Sequence, residues 1–235
     1  MSDIEIVVFT NDNHLWLLRG FQYLFNKYWG SEQSVTVAGY TDPKRRKISL
    51  ESNFKFESID NQNYPVRMWT NGIMKFLRSR DSKLFILFLE DYWLNSPVEI
   101  SKVEKLYKFM QEFTDRILRI DLTSDRASCG KVKPYFSLGN VELIETPPNS
   151  RYQMSFQTAI WNREHLINVL VPFEDPWEAE MNGTKRLAKR PDLKVLGTLN
   201  QPVKYKPVYR TNRSSLDLSA LSTEDQQHIT SEGWV

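Results

Sequence analysis

The sequence predicts an α/β protein, a layered sheet flanked by helices. Three observations lead there. Segments rich in β-branched and aromatic residues alternate with segments of helical periodicity from the N-terminus onward. Leu84 to Leu89 (LFILFL) is apolar at every position, which suits a strand buried on both faces of a sheet. The chain has 235 residues, 40% of them hydrophobic, and no internal repeat divides it, so one sizeable core is expected.

The elements follow in order. IEIVVFT (4–10) reads as a strand, and NDN after it offers an N-cap for a helix from about His14 to Tyr28. Leu17, Phe21, Leu24 and Tyr28 share one face of that helix. SVTVAGY (34–40) and FKFESI (54–59) are strands. Residues 66–80 form a helix with Trp69, Ile73, Phe76 and Leu77 inward, and the apolar strand 84–89 comes next. Residues 101–113 are helical on a stripe of Val103, Leu106, Phe109 and Met110. RILRIDL (116–122), VELIE (141–145) and YQMSFQTAIW (152–161) are strand-like. Asn162 caps a helix over 162–170, and a further helix starts at DPWEAE. From about Gln201 the pattern fades into a surface arm, with a short helix within 222–230. The expected division is a main domain over 1–200 and a basic arm with a short helix over 201–235.

Composition excludes several classes. The longest apolar run is far too short to cross a bilayer, and MSDIEIVVF carries acids where an export signal carries lysines. No integral membrane association is expected. One cysteine, Cys129, rules out an intramolecular disulfide and agrees with a cytoplasmic location. His14, His165 and His228 lack the spacing of a zinc site. Net charge is only +2, yet nine basic residues stand against one acid, Asp192, between Gly183 and Arg213. That segment reads either as a surface for an anionic partner or as a solvated helix face and loop.

The chemistry-bearing residues gather at the ends of predicted strands. Glu90 and Asp91 follow the apolar strand, at the edge where open α/β sheets bind ligands. Carboxylates there hold a divalent cation that in turn holds phosphate oxygens, or they cap the next turn. In FEDPWEAE, Pro176 at the first helical position makes Asp175 the N-cap and Glu178 the third residue, an approximate capping box. Glu180 is left without a structural task. It lies three residues after Trp177, and an indole beside it would desolvate the carboxylate towards the range of a general base. The plainer reading puts Trp177 in the core and Glu180 in solvent.

LFLEDYWL, RIDLT, YQMSFQTAIWNREHL and DPWEAE together resemble a known family, the GT-A glycosyltransferases, and among them glycosyltransferase-like proteins of bacteriophages and some bacteria. The resemblance covers about residues 4–190 and implies a Rossmann-like GT-A fold, a central mostly parallel mixed sheet flanked by helices. It implies transfer of a sugar from a nucleoside diphosphate sugar, a UDP-sugar by preference, to a hydroxyl. Thr10, Asn11, Asp12, Glu90, Asp91, Asp121 and Arg126 would bind the donor. Asp91 would hold a divalent cation, Mn or Mg, although the motif is Glu-Asp-Tyr rather than Asp-x-Asp. Glu180 would be the base, with Glu178 in reserve and Asp91 beside the leaving diphosphate. Trp177, Gln157 and Trp93 would meet the acceptor, together with Lys204, Lys206 and Arg210 of the basic arm. That arm, with Tyr205 and Tyr209 among its cations, suggests double-stranded DNA bearing a hydroxymethylated base. A surface polysaccharide or lipid-linked glycan is the alternative acceptor, and a catalytically silent nucleotide-sugar-binding protein is the alternative outside enzymes.

Overall fold

In the computed structural model the described residues are 4–59, 66–209 and 215–234. The elements are β1 (Glu5–Phe9), α1 (Leu18–Tyr28), β2 (Val35–Gly39), β3 (Phe54–Ser58), α2 (Trp69–Arg78), β4 (Leu84–Leu89), β5 (Tyr92–Leu94), α3 (Ile100–Glu112) and β6 (Ile117–Asp121). Then come β7 (Lys133–Ser137), β8 (Glu142–Glu145), β9 (Ala159–Asn162), α4 (Arg163–Val169), α5 (Pro176–Leu187), β10 (Lys194–Thr198), β11 (Tyr205–Pro207) and α6 (Thr223–Ser231). A sheet of nine strands has the order β3-β2-β1-β4-β9-β6-β10-β8-β7, and β5 pairs with β11 in a small ribbon. All strands of the large sheet but β8 and β9 run in one direction. The predicted α/β class is what the chain adopts, a mixed, mostly parallel sheet flanked by helices.

The apolar run of β4 is buried on both faces, as its lack of alternation predicts. Leu84, Ile86 and Phe88 join one core with Phe21 and Leu24 of α1, Val103 and Leu106 of α3 and Ile229 of α6. Phe85 and Leu87 join the other, with Ile73 of α2, Leu166 of α4 and Ala179 of α5. Helices therefore cover both faces of the sheet.

Several local expectations change. The NDN loop does not cap α1, because a short 3-10 turn (Leu15–Leu17) intervenes and no side chain caps the α-helix. Asp12 instead accepts from Thr41 N (2.9 Å) and Thr41 Oγ1 (2.7 Å), tying the loop after β1 to the end of β2. Of the stretch 152–161 only Ala159–Asn162 is a strand, and it runs antiparallel between β4 and β6. Asn162 caps α4 as expected, accepting from His165 N at 3.1 Å. β5, β7, β10 and β11 lie where the sequence pattern predicts no strand. β7 is a largely exposed edge strand containing Pro134, and β10 contains Gly197, both poor strand signals in isolation.

The segment expected to be a surface arm packs on the main body. Val203, Val208, Leu221 and Ile229 lie in the same core as β4. Asp225, at the start of α6, accepts from Tyr28 Oη (2.5 Å) and Tyr23 Oη (3.1 Å) and pairs with Lys27 (2.8 Å), all on α1. Among the described residues no helix is long and apolar enough to cross a membrane.

Trp93 is completely buried, so the structure removes it from the expected acceptor site. Strand alternation in β5 turns Tyr92 one way and Trp93 the other, against α1. A Cβ on Gly20 of α1 would come within 2.3 Å of the Trp93 ring. Gly20→Ala is therefore expected to cost about 1–3 kcal/mol despite alanine's better helix propensity. Urea unfolding of parent and variant measures this, and an unchanged or higher midpoint would contradict the close packing.

Candidate active site

Two adjoining cavities open at one edge of the sheet. The first, about 440 Å³, is lined by Thr10 and Asn11 after β1, Tyr40 after β2, Trp69 of α2, Glu90 and Asp91 after β4, and Trp177 of α5. The second, about 380 Å³, is lined by Arg119 and Asp121 of β6, Asp125, Cys129, Ser155 and Gln157. Tyr92 and Glu180 line both. Parallel β1, β4 and β6 deliver their carboxyl ends to this edge. β9 runs the other way, so the residues just before it, Phe156 and Gln157, arrive there too.

The acid pair after β4 is split by its surroundings. Glu90 is buried, with Oε1 lying 3.2 Å from His14 Nδ1 and 3.4 Å from Asn11 Nδ2. Burial pushes Glu90 up and its hydrogen bond pushes His14 up, so the pair retains a proton to higher pH. Asp91 is only partly buried, and among the described residues no side chain hydrogen-bonds its carboxylate. Burial, then the Glu90 charge, pushes Asp91 up to about 7. Among the described residues no group of three or more His, Cys, Asp or Glu side chains converges as a metal cage. The donor set suits a cation held by Asp91 and by phosphate oxygens of a ligand, the usual manner of Mg²⁺ in nucleotide sites.

α5 places Glu180. Asp175 Oδ1 accepts from Glu178 N (2.7 Å) and Glu178 Oε2 from Asp175 N (3.1 Å), a full capping box behind Pro176. Glu174 accepts from both Nη atoms of Arg186 at 2.8 Å, its carbonyl accepts from Thr70 N (3.1 Å) and its N–H donates to Thr70 Oγ1 (3.1 Å), pinning the helix start to α2. Glu178 lines neither cavity. Glu180 Oε1 accepts from Phe156 N at 2.6 Å. Burial raises its pKa, against the opposing Phe156 hydrogen bond, Arg119 charge and Ser155 hydrogen bond. Trp177 is 64% exposed at the rim of the first cavity, so it is neither core nor the group that ties Glu180.

The remaining expected residues divide. Thr10, Asn11, Asp121 and Gln157 reach the cavities, while Asp12 serves Thr41 and lines neither. Arg126 is fully buried and donates to Tyr152 O (2.8 Å) and Arg151 O (2.5 Å), fixing the 151–152 backbone rather than facing a ligand. A Cβ on Gly197 would meet its stem at 2.3 Å. Lys204 and Lys206 line neither cavity, and Lys206 pairs with Asp217 at 3.4 Å. Arg210 lies outside the described residues. The basic segment is not a run of open charge, since Arg186, Arg190 and Lys194 also pair, with Glu174, Asp192 and Glu145. Tyr205 stacks on Tyr92 (4.4 Å) and hydrogen-bonds Gln157, so its ring is already committed.

Sequence reasoning missed His14, Tyr40 and Arg119. His14 carried no motif, and its link to Glu90 spans most of the β1–β4 segment. Arg119 lies inside a strand, where it pairs with Asp121 (3.1 Å), donates to Ser155 O and Tyr152 O, and sits over Trp161 (5.1 Å). Asp121 is pushed up by burial, against the charges of Arg119 and Arg126.

With this geometry in view, the comparisons concern the fold. The chain superposes on S. aureus TarS 1–349 with a TM-score of 0.50 and 16% identity, covering 87% of this chain and 60% of that one. It superposes on the UTP-bound UGPase from Acinetobacter baumannii with a TM-score of 0.51 and 8% identity, covering 99% and 94%. The chain thus spans 60% of the length of the TarS fragment. No protein-family model and no curated protein matches the sequence. The class defined here is an α/β protein of Rossmann-like fold, a mixed, mostly parallel sheet flanked by helices.

The capping box separates Glu178 from Glu180 experimentally. Glu178→Gln is expected to lower stability by about 1 kcal/mol or less and leave ligand binding unchanged. Thermal melting checks the first half and titration with the nucleotide proposed below checks the second, and a binding defect without destabilisation would return Glu178 to the site.

Proposed function

We propose that the protein transfers a sugar from a nucleoside diphosphate sugar, a UDP-sugar by preference, to an acceptor hydroxyl. The observation that carries this is the position of Glu180 on the boundary of two cavities. In this reading the first cavity takes the donor and the second takes the acceptor. Tyr40, Trp69 and Thr10 offer aromatic and polar contacts for a nucleoside, and the Glu90–His14–Asn11 cluster positions the loop that carries Asp91. Asp91 would hold a divalent cation, which when bound offsets charge on the leaving diphosphate. Glu180, raised by burial, takes the proton from the acceptor hydroxyl as it attacks the sugar carbon. Tyr92 bounds both spaces and helps exclude water.

The second cavity is rich in paired hydrogen-bonding groups, Arg119, Asp121, Asp125 and Gln157 among them, which suits a polyhydroxyl acceptor. A duplex DNA acceptor finds less support, because four of the segment's cations, Arg186, Arg190, Lys194 and Lys206, are paired with acids.

The test is release of UDP and a mass shift on a panel of glycan acceptors, using UDP-sugars with and without Mn²⁺ or Mg²⁺. Glu180→Gln is expected to lower kcat by about 10²–10⁴-fold with UDP binding near normal. Asp91→Asn is expected to abolish turnover with the fold intact. A near-parental rate in either variant would remove that residue from the reaction, and no turnover with any donor would favour a silent binding protein.

The two cavities are separable by the single thiol. Cys129 lines only the second. Alkylation with a bulky maleimide is expected to block transfer and leave UDP affinity unchanged, and Cys129→Ser should be insensitive. Loss of UDP binding on alkylation would overturn the assignment of the cavities.

A further inference from the structure

One apolar surface extends beyond the core and the rim of the first cavity. The loop between α4 and α5 and the outer face of α5 carry Phe173, Trp177 and Met181, exposed by 67%, 64% and 42%. Val171 beside them is 41% exposed. Trp177 and Met181 are one helical turn apart and share a face, while Ala179, Gly183 and Leu187 on the opposite face are buried. Phe173 holds φ at 69°, a conformation that a bulky side chain rarely adopts, and its ring still points to solvent. Its N–H is held by Asn71 Oδ1 at 2.8 Å, so the loop is fixed against α2.

Cations flank this apolar ridge. Lys75 and Arg78 of α2 are exposed and line a groove with Pro172. Lys185 on α5 and Lys189 in the turn after it are exposed beyond Met181. α2 contains no acid, and of the two acids of α5 Glu178 is turned back onto Asp175 N and Glu180 accepts from Phe156 N on the cavity side.

We propose that this ridge docks the protein on the surface of an anionic phospholipid bilayer. Phe173, Trp177 and Met181 enter the headgroup–acyl boundary, and Arg78, Lys185 and Lys189 meet the phosphates around them. The chemistry of the patch selects this partner. Nucleic acid would leave the apolar centre in water. A second copy docked through the same face would set its cations against their own kind. A bilayer satisfies both halves, because tryptophan is favoured at the interface and long cationic side chains reach the headgroup layer from its edge. Trp177 also rims the first cavity, so docking brings that mouth to the headgroup level. The inference does not depend on the transfer reaction.

The test is flotation of the full chain with vesicles of phosphatidylcholine, with and without phosphatidylglycerol, at low and high salt. Binding is expected only with phosphatidylglycerol and is expected to fall as salt rises. Phe173→Gly suits a φ of 69°, so it should fold at least as well as the parent. Together with Met181→Glu it is expected to weaken vesicle binding about tenfold or more. Lys185→Glu with Lys189→Glu should weaken it similarly at low salt. Absence of binding to phosphatidylglycerol vesicles at low salt overturns the proposal. So does binding that the folded Phe173→Gly, Met181→Glu protein retains in full. A parent that sediments as a dimer, made monomeric by those two substitutions and blind to vesicles, would assign the ridge to a second copy instead.

Discussion

The arrangement of the site depends on the reversed strand β9, hydrogen-bonded between β4 and β6. Its register places Ala159 beside Leu87 on one side and Asp121 on the other. Reversal brings the chain just before β9 to the edge where β1, β4 and β6 end. The Phe156 N–H then meets Glu180, and Gln157 meets Tyr205. A parallel strand here would send this segment to the opposite edge, and Glu180 would lose the backbone donor that orients it.

Burial then sorts chemically similar acids. Glu90 is sealed in with His14, Glu174 is clamped by Arg186, and Glu178 closes a helix cap. Asp91 and Glu180 are pushed up by burial and still reach the cavities. A carboxylate with a strong partner is held below its usual range or neutralised in place, whereas one that is desolvated without a full partner is poised to exchange a proton. Glu174 is the first kind, lowered by Arg186 and Asn182 against the opposing effect of burial.

The basic segment shows the same rule from the other side. Summed along the sequence it is strongly cationic, yet four of its cations, Arg186, Arg190, Lys194 and Lys206, pair with acids, and Glu145 and Glu174 among those acids lie outside the segment. Where cations gather around apolar side chains, beside the outer face of α5, only part of the group belongs to that segment, and Arg78 comes from α2.

Local patterning by itself determined most of the first half of the fold: β1, β2, β3, β4 and the helices between them, and the capping box that starts α5. Each depends on residues within a few positions of one another, so periodicity and cap chemistry carry the information. It also placed Asp91 at a sheet edge and separated Glu180 from Glu178. Only tertiary structure decided that Trp93 and Arg126 are buried, that Asp12 serves Thr41, and that His14 and Arg119 belong to the site. It alone showed that the C-terminal segment packs into the core. Those outcomes depend on partners tens of residues away and on strand direction. Hydrogen-bond pairing and burial are set by the assembled sheet, and no short window of sequence contains both members of such a pair.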